Sequence, residues 1–297
     1  MLNEKISGKL LFSLCIILLL LPCIYILIGQ FLGSVNNQSL ILETSVGKSH
    51  VVDAMARMIE RETASGFCPS SYVWPGHVRH DICGFQEGEQ QIWQRVAMEL
   101  SDHLTREGPS SDRDPDLNVV LANINRPNTW SLFFASNNTS SLLKSTVVRL
   151  DDYNARLKEK KAGYYPRIDN LSSLVGDLTS VLGGESMRLA EKAANTGVYS
   201  MQGRSAYFHT LGTMAASCWV LQAAKKDFDD VLKLQSAETI YEQAMDKTCE
   251  KLNKDPFLVI NGSDLSSLLT LSGSAAAAVN NLTSLQNAIA AASRSSH

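Results

Sequence analysis

The chain has 297 residues and a formal net charge of −3. With Glu4, Lys5 and Lys9 set aside, 25 basic and 29 acidic residues remain, a charge of −4 that argues against nucleic acid and against a broadly basic surface for anionic lipid. Apolar residues make up 44% of the chain, which means a folded core rather than disorder.

Leu10 to Leu32 holds 23 residues without one Asp, Glu, Lys, Arg or His. As a helix rising about 1.5 Å per residue it spans roughly 35 Å, enough to cross a hydrocarbon core of about 30 Å with some tilt. Pro22 is tolerated in a membrane helix, where it would kink a soluble one. A cleaved signal peptide is the rival reading. Its apolar region is usually ~7–15 residues and ends at a small-x-small site, whereas this run continues to Ile28 with no Ala-x-Ala after it. Lys5 and Lys9 precede the span and the next basic residue is Lys48, so the N-terminus stays in the cytoplasm and the bulk is exported. The expected organisation is a cytoplasmic stub at 1–9, a transmembrane anchor at 10–33, a stalk-like helix at 34–63 and an exported helical domain at 64–297.

Apolar spacing predicts a helix over Leu40–Thr63, able to continue the anchor as a stalk. Ala64–Phe85 reads as a loop, because Cys68-Pro69, Trp74-Pro75-Gly76 and Cys83-Gly84 break regular structure. Cys68 and Cys83 suit a disulfide in an oxidising compartment. With His77, His80 and Asp81 between them a zinc site is the sharper alternative, and two unlinked thiols are the third. Glu87–Arg106 is amphipathic through Ile92, Val96, Leu100 and Leu104, and Gly108-Pro109-Ser110-Ser111 ends it. Asp114-Pro115-Asp116 starts a new helix, with Asp at the cap and Pro at the first helical position. Asp112, Asp114 and Asp116 also mimic the opening of a calcium loop, but Leu117 and Asn123 stand where Gly and Glu are needed.

Further helices are predicted over Ser140–Lys160, Arg167–Leu182, Glu185–Asn195, Ser205–Lys226 and Phe228–Leu252, with breaks at Gly163-Tyr164-Tyr165-Pro166 and Gly183-Gly184. Cys218 and Cys249 either staple the hairpin of Ser205–Lys226 and Phe228–Leu252 or serve as core residues. Asp255–Gly262 is a short extended piece, and the Ala- and Ser-rich helix Asp264–Ala292 carries too little charge to stand free. The fold expected is all-α: an N-terminal transmembrane helix and an exported multi-helix bundle with short antiparallel connections.

No HExxH, GxSxG, phosphate loop, GxGxxG or repeated CxxC is present, the histidines are dispersed, and neither metal nor cofactor is expected. His209, beside the apolar stripe of its helix, reads as a satisfied core residue rather than a base. The polar residues that stand out lie at helix starts or beside breaks: Ser110, Ser111, Asp114, Asp116, Asn154, Arg156, Arg167, Asp169, Asn170 and Asn261. In one reading they cap helices and pair with one another, so that Arg167→Ala or Asp169→Ala removes a buried partner and lowers stability. In the other, Arg156 and Arg167 converge on an anionic ligand.

Four phrases built on these residues are Arg106-x-Gly108-x-Ser110-Ser111 leading to Asp114-Pro115-Asp116-Leu117; Tyr153-Asn154-x-Arg156-Leu157; Arg167-x-Asp169-Asn170-Leu171; and Asp255-Pro256-Phe257-x-Val259 before Asn261-Gly262. In order and spacing they resemble DUF2333, a family of bacterial membrane-anchored proteins of unknown function, over about residues 85 to 262. The resemblance implies a protein of the inner membrane of a Gram-negative bacterium, and no known activity; the apolar run makes the expected topology single-pass. The expected role is a non-enzymatic scaffold in the periplasm, partnered by the membrane and by other envelope proteins. The alternative is a periplasmic ligand-binding or hydrolytic domain using Asp114, Arg156 and Arg167.

Overall fold

The structure, a computed structural model, describes residues 12–25, 27, 35, 47–64, 66–70, 80–108, 111–129, 138–198, 200–250, 252, 259–261 and 267–295. Residues 12–25 form helix α1, whose apolar side chains are exposed. Both ends of the expected 10–33 span lie outside the described residues, and among the described residues no helix is long and apolar enough to cross a membrane. The described chain is all-helical, without a strand; Ile260 and Ser267 form an isolated bridge.

Helix α2 runs over His50–Ala64. Residues 47–49 ahead of it are not helical, with Gly47 in a turn at φ +85°, and residues 40–46 of the helix expected from Leu40 lie outside the described residues. Nor is α2 a free stalk. Val51, Val52, Ala54, Met55, Met58 and Ile59 are wholly buried, so the helix is part of the core.

Helix α3, His80–Glu99, starts seven residues before the expected Glu87 and closes in a wider π turn at Leu100–Leu104. Cys83-Gly84 therefore lies inside a helix rather than breaking one. The cause is tertiary. A Cβ on Gly88 would overlap the backbone carbonyl of His209, and one on Gly212 would overlap that of Phe85. The glycines, costly in an isolated helix, permit a backbone-to-backbone approach between α3 and helix α7, Met201–Asp227. Gly84 faces Ser205 and Gly88 faces His209 and Thr213, so this pair runs parallel. Consecutive helices such as α4 and α5, or α6 and α7, are antiparallel as expected, although the connections are not all short: 125–138 separates α4 from α5 and 250–267 separates α9 from α10. Helices α3 and α7 are not consecutive in sequence, and the up-and-down chain returns in the same direction.

Around this pair lie α4 (Pro115–Ile124), α5 (Thr139–Lys158), α6 (Ile168–Asn195), α8 (Asp229–Leu234), α9 (Glu238–Cys249) and α10 (Leu268–Ser295). Helix α6 continues through Gly183-Gly184, contrary to the break expected there. Burial of Leu178, Val181, Leu182 and Leu189 outweighs about 1 kcal/mol per helical glycine. The expected Phe228–Leu252 helix is divided instead, at Ser236 with φ +53°. The expected burial of the last helix is observed: Leu271, Ala275, Ala278, Leu282, Leu285 and Ile289 face the core.

Both cysteine pairs are bonded. Cys68–Cys83 joins the short 3₁₀ turn Cys68–Ser70 to α3, and Cys218–Cys249 joins α7 to α9. Bonding takes Cys68 and Cys83 away from zinc, and His77 lies outside the described residues. The sequence separations of 15 and 31 residues give about 3 and about 4 kcal/mol in the chain-entropy account. Reduction should therefore lower the denaturant midpoint measurably, and Cys249→Ser should account for the larger share. A midpoint unchanged by reductant would contradict this.

Candidate functional site

An open concavity sits where α2 begins and α5 and α7 end. The first N–H groups of a helix lack intrahelical partners, so a carboxylate is stabilised there. Asp227, the last residue of α7, supplies it. Its oxygens accept from the backbone N–H of His50 (2.7 Å) and Val51 (3.0 Å), from Ser49 Oγ (2.7 Å) and from the Tyr164 hydroxyl (2.9 Å). His50 Nδ1 lies 2.8 Å from the same carboxylate. Burial, with the Asp227 charge beside it, pushes the Tyr164 hydroxyl well above the ordinary tyrosine range, so it remains a donor. Asn154 clasps the residue before the helix. Its Oδ1 accepts from Ser49 N at 2.9 Å, and its Nδ2 donates to Ser49 O at 3.1 Å. Above this floor a cleft of about 420 Å³ is walled by Leu157, Ala162 and Pro166 and fringed by Lys48, Lys160 and Lys226.

A second, smaller cleft of about 260 Å³ lies over α3, α6 and α7. Glu185 is its centre: Oε2 accepts from Arg188 (2.5 Å) and Thr210 Oγ1 (2.9 Å) and lies 3.1 Å from His209 Nδ1. Burial raises the Glu185 carboxyl, but His209 and Arg188 outweigh it and hold it at about 2. His209 is thus engaged by a carboxylate on the flank of the core. The ordinary value is 4.5, so the contribution to stability is complete above about pH 4.5 and is lost as the pH falls through about 2. Acid titration of unfolding should show Glu185→Gln removing a component of about 3 kcal/mol from that window. Equal acid sensitivity of the two chains would count against the assignment.

The sequence-flagged residues occupy several places rather than one. Asp114 caps α4 through Asp116 N at 3.0 Å. Arg156 reaches across from α5, with Nη1 2.8 Å and Nη2 2.7 Å from the two Asp114 oxygens and Nη2 2.6 Å from Asp116 Oδ2. Arg149 adds a bond of 3.0 Å to Asp116. Burial opposes ionisation of Asp114, but Arg156 overrides it and holds the carboxyl below its ordinary value. With two guanidinium groups on them, these carboxylates are not free for calcium. Arg167 lies apart from Arg156's partners: it donates to Glu107 O at 2.9 Å and pairs with Asp169 at 3.3 Å, both side chains exposed. That exposure corrects the large stability loss expected for Arg167→Ala and Asp169→Ala, since an exposed pair is worth about 0–1 kcal/mol.

Asn170 donates to Tyr165 O (2.8 Å) and His103 O (3.3 Å). Asn261 donates to Ala193 O (2.5 Å) and Thr196 O (3.0 Å), closing the C-terminal end of α6. Ser111 Oγ accepts from Gly108 N at 3.2 Å, and Ser110 lies outside the described residues. Among the described residues no group of three His, Cys, Asp or Glu side chains is placed to hold a metal ion.

Sequence reasoning missed Asp227, Ser49 and the buried charge cluster of Arg61, Glu62, Gln86 and Glu89. Arg61 donates to Glu62 at 2.8 Å and to Glu89 at 2.6 Å while stacking 4.2 Å from the Trp219 ring centroid. Gln86 Nε2 donates to Glu62 Oε2 at 3.0 Å, and Gln86 Oε1 accepts from Cys68 N at 2.8 Å. Burial, with Glu62 adding to it, pushes the Glu89 carboxyl well above the usual range. The signal that could have found it is charge at core spacing: Glu89 stands one helical turn before Trp93.

The family model described as "Uncharacterized protein conserved in bacteria (DUF2333)" matches residues 33–206. The Asp255–Gly262 phrase lies beyond the matched residues. Comparison with curated proteins and with solved structures finds no match.

Proposed function

We propose that this chain, which belongs to the bacterial family DUF2333, is a single-pass membrane protein whose exported helical domain acts as a non-enzymatic scaffold of the cell envelope. The observation that carries the reading is α1. Over residues 12–25 it bears no charge, and Phe12, Leu14, Leu18, Leu19 and Leu21 are each more than half exposed, an apolar surface suited to lipid. Lys5 and Lys9 on its N-terminal side orient it with the bulk outside the cytoplasm. Two disulfides suit an oxidising compartment and are rare in cytosolic proteins. The family-phrase side chains that the structure describes serve the fold: Asn154, Asn170 and Asn261 clasp backbone, and Arg156 is consumed by Asp114 and Asp116. That use favours a scaffold over an anion held jointly by Arg156 and Arg167.

A reporter active only in the periplasm, fused after residue 60, should be active, and a cytoplasm-only reporter at the same junction should be silent. The reverse pattern would overturn the topology. Crosslinking in intact cells, read by mass spectrometry, should join the exported domain to other envelope proteins. A monomeric, uncrosslinked chain that turns over a small substrate would reject the scaffold.

A further inference from the structure

We infer that the lysine-fringed end of the bundle lies on the bilayer and contacts anionic phospholipid headgroups, an inference that rests on the anchored topology proposed above. The exported part is acidic overall, yet six of the chain's fourteen lysines gather at this end. Lys48 precedes α2, Lys158, Lys160 and Lys161 close α5, and Lys225 and Lys226 close α7. These segments meet physically: Lys48, Lys160 and Lys226 fringe one cleft, and Gly47 packs on the Lys158 backbone.

Most of the opposing acids are engaged, while Asp230, beside Asp229, is exposed without an ion pair among the described residues. Asp227 is spent on the start of α2, Glu159 pairs with Lys161 at 2.7 Å, and Glu242 pairs with Lys225. Asp229 is taken by Lys233 at 2.6 Å. Lys158, Lys160 and Lys226 are exposed and have no carboxylate partner among the described residues.

Two further observations point the same way. Val35, three residues past Leu32, is 8% exposed and belongs to the main apolar core. Three residues reach at most about 11 Å, so the core begins within that distance of the end of the apolar run. Lys160 also adopts φ +57° at the position after the α5 cap, where glycine is the usual residue. Its N–H donates to Leu157 O at 2.9 Å and that of Lys161 to Arg156 O at 2.8 Å, completing the helix-ending motif. Lysine stands there against its backbone preference, and it places a cation at the tip of the cluster. Basic groups held at an anionic surface each raise affinity about fivefold at low salt, and the effect is screened over about 10 Å at 0.1 M.

The test uses the full chain reconstituted in phosphatidylcholine vesicles with and without phosphatidylglycerol. Lysine acylation is followed by mass spectrometry, and carbonate extraction is run on the same samples. Acylation of Lys158, Lys160 and Lys226 should slow several-fold in the anionic vesicles and recover in high salt, while Lys192 and Lys247 react alike in both. Lys160→Gly should melt no lower than the parent and lose part of the protection, which separates docking from folding. Equal reactivity in the two lipids, with the chain resistant to carbonate, overturns the inference and leaves the anchor standing. Release by carbonate overturns the anchor, and the lysine rates in that sample still decide the docking surface.

Discussion

Replacing Arg61 by Met should cost the folded state about 3–5 kcal/mol, because it strands two carboxylates in the core. Glu62 and Glu89 are 2% and 0% exposed, and Arg61 is the cation that bonds both. The methionine stem fills the space over Trp219 but neutralises nothing. Burial already holds the Glu89 carboxyl well above the usual range, so its ionised form opposes folding. A raised value means stability that is whole below the unfolded value near 4.5 and declines as the pH rises through the folded one. The penalty in Arg61→Met should therefore shrink on acidification, and Glu89→Gln in the same chain should recover much of it at neutral pH. In the parent, Glu89→Gln should be neutral or stabilising. Denaturant unfolding at two pH values measures all of this. A single variant within about 1 kcal/mol of the parent at pH 7 would show that the cluster is not closed to water.

The second large effect belongs to the contact of α3 with α7. Gly88→Ala and Gly212→Ala each place a methyl group against an opposing backbone carbonyl, not against a flexible side-chain tip. Overpacking usually costs about 1–3 kcal/mol, and rigid backbone on the far side puts these sites at or above the top of that range. Both methyl groups push the same two helices apart, so the double variant should lose less than the sum of the singles. Gly184→Ala is the control. A Cβ there meets nothing within 4 Å, and the exchange should stabilise α6 by about 0.5–1 kcal/mol. Equal unfolding midpoints for Gly88→Ala and Gly184→Ala would refute the close-approach account.

Much of the fold is legible in the amino-acid order alone, because amphipathic helices announce themselves by period. Ile92, Val96, Leu100 and Leu104 recur at helical spacing and are wholly buried. Asp114-Pro115-Asp116 carries local capping chemistry that needs no distant partner, and the α4 start follows it. The cysteines are legible only in number: Cys68, Cys83, Cys218 and Cys249 are compatible with two disulfides, and three pairings stay open until the helices meet.

What stays illegible depends on which helices meet. Taken alone, Gly84 reads as a breaker and Gly183-Gly184 as a break, since local propensity penalises glycine in a helix. The α7 backbone makes Gly84 and Gly88 useful inside α3, and core burial carries α6 through Gly183-Gly184. The candidate cleft has the same origin. Ser49, the Asn154–Tyr164 stretch and Asp227 are far apart in sequence and meet only when α2 lands between the ends of α5 and α7. Arg156 and Arg167 look alike in sequence, each beside a carboxylate near a helix boundary. Packing gives Arg156 two carboxylates on α4 and leaves Arg167 at the surface. Periodicity and capping act within a few residues, so the sequence by itself determines where most helices run. Burial, pairing of charge and close approach act between segments, so only the tertiary structure decides what each polar residue is for.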